Sequence, residues 1–130
     1  MTSRNAAIVQ SNSDAFSRRD VEAMLALWAS DAAMIDRRAV GWGEYRGHDS
    51  LRSYYQGMFD NVEALDEALR VVSAEGDVVI VSCRTRVKLA GEADAELTFD
   101  YVMRITLSGG LIASLEIFED ARAAAASGQA

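Results

Sequence analysis

The chain has 130 residues, half of them apolar, which is enough for one domain with a real core and leaves no room for a second. Twenty acidic against 13 basic residues give a net charge of -7, which repels a phosphate backbone or an anionic lipid surface and argues against nucleic acid and membrane as partners. One cysteine, Cys83, and one histidine, His48, supply neither an internal disulfide nor a Cys/His zinc set.

In chain order, the opening Met1-Thr2-Ser3-Arg4-Asn5 leads into no long apolar run, so neither a signal peptide nor a membrane span is expected and the chain reads as cytoplasmic. Ile8, Asn12, Ala15 and Phe16 recur at helical spacing, and Val21, Met24, Leu25 and Trp28 repeat it after Asp20, a good N-cap. Two helices are predicted, over 4–18 and 21–30. An apolar piece from Ala32 to Asp36 follows, then a glycine-rich loop, Gly41 to Gly47, whose spacing fits no nucleotide fingerprint and whose Trp42 is placed to cover a pocket. A third helix is predicted from about Asp49, with Leu51, Tyr54, Tyr55, Met58 and Phe59 on one face.

From about Glu67 the apolar period becomes two. Over 78–89 Val79, Val81, Cys83, Thr85, Val87 and Leu89 oppose Ser82, Arg84, Arg86 and Lys88. Over 95–107 Ala95, Leu97, Phe99, Tyr101, Met103, Ile105 and Leu107 oppose Glu96, Asp100 and Arg104. Turn signals at Glu75-Gly76-Asp77, Ala90-Gly91-Glu92 and Ser108-Gly109-Gly110 connect a four-stranded meander that ends with Leu111 to Glu119. Residues 1–120 thus form the domain, and the Ala-rich stretch 121–130 reads as a flexible tail. The fold class is α+β: a cone-shaped, curved antiparallel sheet with a mixed edge, packed on three helices from the N-terminal half and enclosing a pocket.

Several segments carry a family resemblance. Arg19-Asp20-Val21-Glu22-Ala23, the stretch from Trp28 to Asp36, that from Arg46 to Tyr55, and Tyr101-Val102-Met103-Arg104 resemble the nuclear transport factor 2-like superfamily, in its branch of ketosteroid isomerase and SnoaL-like polyketide cyclases. The resemblance implies a cofactor-independent isomerase or cyclase in which Asp36 matches the carboxylate base. It places Tyr101 at an oxyanion-binding carboxyl, Asn12 at an oxyanion tyrosine and Tyr55 at a second pocket tyrosine, so both principal donors have changed type. It also implies a homodimer through the outer sheet face. Limonene epoxide hydrolase resembles this fold too, but needs an Arg between two aspartates, and the comparable positions near Arg84, Arg86 and Ile117 lack both acids.

The residues themselves support a small apolar ligand. A carboxylate at Asp36 beside Met34, Phe16 and Phe99 would be a strengthened base, unless it pairs with Arg37 or Arg38 at the strand end. Tyr101 on the apolar strand face would donate to an oxyanion or to a neighbouring core group. Asn12, Trp28, Tyr55, Phe59 and Met103 are the further expected walls, and Glu119, in register with Leu115 and Ile117, is expected at the mouth. His48 reads as a loop or first-turn residue and Cys83 as an inert buried thiol. The same cavity equally fits a non-catalytic binding module.

Overall fold

The structure, a computed structural model, describes residues 3–39, 41, 43–91 and 96–127. Trp42 and Ala95, singled out above, lie outside them.

Helix α1 (Arg4–Ser17) starts where the Ser3 hydroxyl accepts from the Ala6 amide, and it ends at Arg19, which takes the left-handed conformation at φ 58°. The Arg19 guanidinium then donates to the carbonyls of Val62 and Glu63, so the chain reversal is tied to the sheet. Asp20 caps α2 (Val21–Leu25) through the Ala23 amide. The apolar stripe predicted a helix to residue 30, but α2 stops five residues short. Trp28 instead opens β1 (Trp28–Asp36), because the Leu27 carbonyl and Trp28 are taken into the sheet by Ile112. Helical spacing and burial by a sheet coincide at Trp28, and the sheet prevails.

The glycine-rich segment contains a short edge strand, β2 (Gly43–Arg46), folded back on β1 with Asp36 opposite Gly43. Helix α3 (His48–Phe59) follows, and His48 Nε2 lies 3.0 Å from the Trp28 carbonyl oxygen. Strand β3 (Val62–Glu75) starts five residues before the periodicity shows it, since this edge strand is mostly exposed and carries bulges near Val62 and Val71. Strands β4 (Val78–Leu89), β5 (Glu96–Ser108) and β6 (Leu111–Phe118) complete the predicted meander. Gly76 and Gly109 stand at positive φ in its turns, as tight hairpins require.

The sheet order is β2-β1-β6-β5-β4-β3, antiparallel except where β1 runs parallel to β6. Its inner face holds the core with the three helices, including the fully buried Met34, Leu51, Val79, Ile105 and Ile112. Charged rows run across the outer face, where Arg84 pairs with Asp100 at 2.8 Å and Arg104 with Glu116 at 2.8 Å. The stretch predicted as a flexible tail contains a helix, α4 (Ala121–Ser127), whose Ala124 packs on Val102 and Phe118 of the outer face. That cover explains why Val102, on the polar side of β5, is buried.

Strand β5 outruns β6. Pairing with β6 begins at Val102, so residues 96–101 are flanked by β4 alone. The inward-facing Leu97 and Phe99 are therefore 43 % and 45 % exposed, whereas Tyr101, Met103 and Ile105 are buried. Among the described residues, no helix is long and apolar enough to cross a membrane.

Candidate functional site

Between the helices and the inner sheet face lies a cavity of about 330 Å³, within the size range of small-molecule sites. Of the residues expected to form it, Asn12, Phe16, Tyr55, Phe99, Tyr101 and Met103 line it. Phe99 and Leu97, on the overhang of β5, form an exposed lip. Trp28, Met34 and Phe59 are instead buried in the core without lining the cavity. The Trp28 indole N–H donates to Asn12 Oδ1 at 2.8 Å, which is how a polar residue is accommodated in the apolar face of α1.

Asp36 is 1 % exposed and does not line the cavity. Arg38 stands between them: its Nε donates to Oδ1 at 2.9 Å, its Nη2 to Oδ2 at 2.7 Å, and its backbone N–H to Oδ1 at 3.1 Å. This bidentate hold keeps Arg38 at the cavity wall, with its guanidinium carbon 5.2 Å from the centre of the Tyr101 ring. Hydrogen bonding to Asp36, opposed by burial, raises the already high pKa of Arg38. Gly41 closes the other side of the carboxylate so tightly that an added Cβ would collide with Asp36 Oδ2. Gly41→Ala is therefore expected to displace Asp36 from Arg38 and to destabilise the fold by about 1–3 kcal/mol, measured by urea unfolding.

Glu119 does not reach the cavity. Its Oε1 accepts from the Ala39 amide at 2.9 Å, and its side chain borders a depression on the outer sheet face.

Periodicity missed the acid that does line the cavity. Glu67 faces inward between Leu65 and Leu69 on β3 and sits opposite Thr85 on β4, which in turn sits opposite Phe99 on β5. The Tyr101 hydroxyl donates to Glu67 Oε2 and lies 2.5 Å from the Thr85 hydroxyl oxygen, forming a network across three strands. The parity of Leu65 and Leu69 is the sequence signal that would have identified Glu67. Burial pushes the Glu67 carboxyl above its ordinary value, against the hydrogen bond from Tyr101 that holds it down, while the Ser13 hydroxyl donates to the Glu67 backbone carbonyl. Burial and then the Glu67 charge push the Tyr101 phenol far above its ordinary value.

Two further phenols face the cavity from α3. Burial, reinforced by the Asp36 charge, pushes Tyr54 up to about 12. Tyr55 is 5 % exposed, is raised well above 10 by burial, and forms no hydrogen bond with another described residue. Burial likewise raises the Cys83 thiol, which keeps it protonated and inert.

The fold has close structural likenesses. A protein of the nuclear transport factor 2-like class from Burkholderia pseudomallei superposes with a TM-score of 0.79 at 21 % identity, covering 92 % of each chain. TerC, crystallised with polyporic acid, superposes at 0.78 and 20 % identity over 98 % of this chain and 100 % of its own. A candidate polyketide cyclase from Xanthomonas campestris matches at 25 % identity and 0.72 over 92 % of each chain. No curated protein matches the chain in sequence. The model of the SnoaL-like domain matches residues 9–115, which runs from within α1 to the middle of β6 and includes the whole of β3, β4 and β5. The chain therefore belongs to the SnoaL-like domain family of the nuclear transport factor 2-like superfamily.

Proposed function

We propose that the chain binds a small apolar molecule carrying a carbonyl group and, as a cofactor-independent isomerase or cyclase, moves a proton at the carbon beside that carbonyl. The observation that carries the reading is the cavity itself: apolar walls, with a carboxyl, a guanidinium and three phenols gathered on its surface. Such a site desolvates a reacting carbonyl and presents donors to the charge that develops on its oxygen. The candidate polyketide cyclase, and TerC crystallised with polyporic acid, are consistent with a small-molecule substrate.

Asp36, expected as base, and Tyr101, expected as oxyanion donor, are each committed to another side chain. Both Asp36 oxygens are engaged by Arg38, and the Tyr101 proton is directed to Glu67. The same mutual satisfaction favours a second reading, a binding module that holds its ligand unchanged.

Exchange of the α-hydrogens of 2-tetralone in D2O, followed by proton NMR, separates the two. The enzyme reading expects exchange faster than in buffer and retention of 2-naphthol, the planar mimic of the enol. Retention of 2-naphthol without faster exchange leaves the binding module.

We propose further that two copies pair through the outer sheet face, where Val72, 54 % exposed, borders a depression shared with Ile80. Sedimentation velocity is expected to give twice the chain mass, and a monomer at high micromolar protein contradicts the pairing. A reducing, cytoplasmic setting suits the single free thiol.

A further inference from the structure

We infer that Glu67 is the general base of this cavity, with Tyr101 as the positioning residue that aims it and Tyr55 as the donor to the substrate oxygen. The inference rests on the proton-transfer reading above and assigns its chemistry to a carboxyl on β3, away from the β1 acid that the family resemblance selects.

Three observations converge. First, Glu67 is the carboxyl among the described residues lining the cavity; Asp36 is enclosed by Arg38 and Gly41, and Glu119 is committed to the Ala39 amide. Second, the Tyr101 hydroxyl, itself beside Thr85, donates to Oε2 and leaves Oε1 without a hydrogen bond to any described residue. A carboxylate held by one oxygen presents the other with its orientation fixed, which is what proton abstraction from carbon requires. Third, Tyr55 is buried, lines the cavity and has no hydrogen-bond partner among the described residues, so its O–H is available to a ligand. Among the described residues no buried side-chain N or O atom lacks a partner, so the unbonded Tyr55 hydroxyl is one that opens onto the cavity, where a ligand can accept from it.

In the step that follows, Oε1 takes the proton from the carbon next to the carbonyl. The C–H bond breaks, an O–H bond forms on Glu67, and the electron pair moves through the carbon–carbon bond onto the carbonyl oxygen. The Tyr55 hydroxyl donates a hydrogen bond to that enolate oxygen, with the Arg38 guanidinium at the same wall adding positive potential. Glu67 then returns the proton, either to the far carbon of an enone, which completes an isomerisation, or to the alkoxide formed when the enolate carbon attacks a second carbonyl, which completes a ring closure. No oxidant or cofactor enters the balance. Burial, which raises the proton affinity of Glu67, makes it a stronger base once ionised.

The test uses the full chain with 2-tetralone as the exchanging ketone and 2-naphthol as the bound mimic. Glu67→Gln is expected to lower the exchange rate about 100-fold or more while 2-naphthol binds as in the wild type. A smaller fall with unchanged binding overturns the assignment and leaves the proton-transfer reading standing. If the wild type binds 2-naphthol yet exchanges no faster than buffer, the proton-transfer reading falls and takes this assignment with it.

Should Glu67→Gln fold poorly, the wild-type pH profile decides. A base works when ionised, so the rate should rise with pH through a midpoint above the ordinary glutamate value and be lost as pH falls through it. A flat profile there overturns the assignment. The Tyr101 bond favours the ionised carboxyl, so Tyr101→Phe should move the midpoint to higher pH, an effect that lost packing alone does not produce; an unmoved midpoint removes Tyr101 from its positioning role.

Discussion

Replacing Arg38 with methionine is expected to cost about 3–5 kcal/mol of folding stability, the range found when one member of a buried ion pair is removed. Methionine fills the space of the aliphatic stem but supplies no charge. Asp36, 1 % exposed at the end of β1, is then left with the backbone amide of residue 38 in place of three donated hydrogen bonds. Arg38 itself keeps a quarter of its side chain in contact with solvent, so the converse change, Asp36→Asn, should cost less, because the stranded guanidinium can turn outward. The double replacement Asp36→Leu with Arg38→Met should recover much of the loss, since no charge remains buried. Chemical unfolding of the wild type, Asp36→Leu, Arg38→Met and their double variant measures the coupling directly. A loss below about 1 kcal/mol for Arg38→Met would mean that the pair behaves like a surface contact.

Met34→Ala is the second large effect, at about 2–5 kcal/mol, because Met34 is fully enclosed by the core and its removal leaves a void. Phe99→Ala should behave in the opposite way. Its ring is nearly half exposed on the overhang of β5, so stability should change by only about 0.5 kcal/mol, while 2-naphthol binding weakens because the cavity loses part of its lip. The two variants, compared by thermal unfolding and by titration with 2-naphthol, separate residues that hold the protein together from residues that hold its ligand. If Phe99→Ala binds 2-naphthol as the wild type does, the lip plays no part in retention.

The contrast between Met34 and Phe99 also shows what was legible in the sequence. Strand β4 was read to the residue at both ends, and the inward side of β5 was read correctly, because one face meets the core and the other meets water. Alternation reports which face a side chain takes, not how far the neighbouring layer extends. It could not show that β6 stops short of Phe99, or that α4 covers Val102. The start of strand β1 was hidden for a different reason: Val21, Met24, Leu25 and Trp28 fall on a helical stripe, and only the long-range partner Ile112 pulls Trp28 into the sheet. Six of the expected cavity residues are on its wall. The pairing of Asp36 with Arg38 was among the alternatives expected, but not the place of Arg38 on the cavity wall; Glu67 was missed because a charged residue in a mostly exposed strand normally reads as a solvated one, although its parity with Leu65 and Leu69 points inward.

The parallel pairing of β1 with β6 sets an order on the making of the molecule. Residues 33–36 find their partners at 114–117, well over half the length of the chain away, and the remaining edge of β1 is taken by β2. The hairpins of β3, β4 and β5 can form from neighbouring sequence, but Asp36, and with it the Arg38 it holds at the wall, can be fixed only when β6 arrives. Contacts this distant in sequence carry a large loop-closure cost and slow folding. During synthesis the first three helices therefore wait, with their apolar stripes uncovered, for a strand made much later, and the cavity is enclosed only after it.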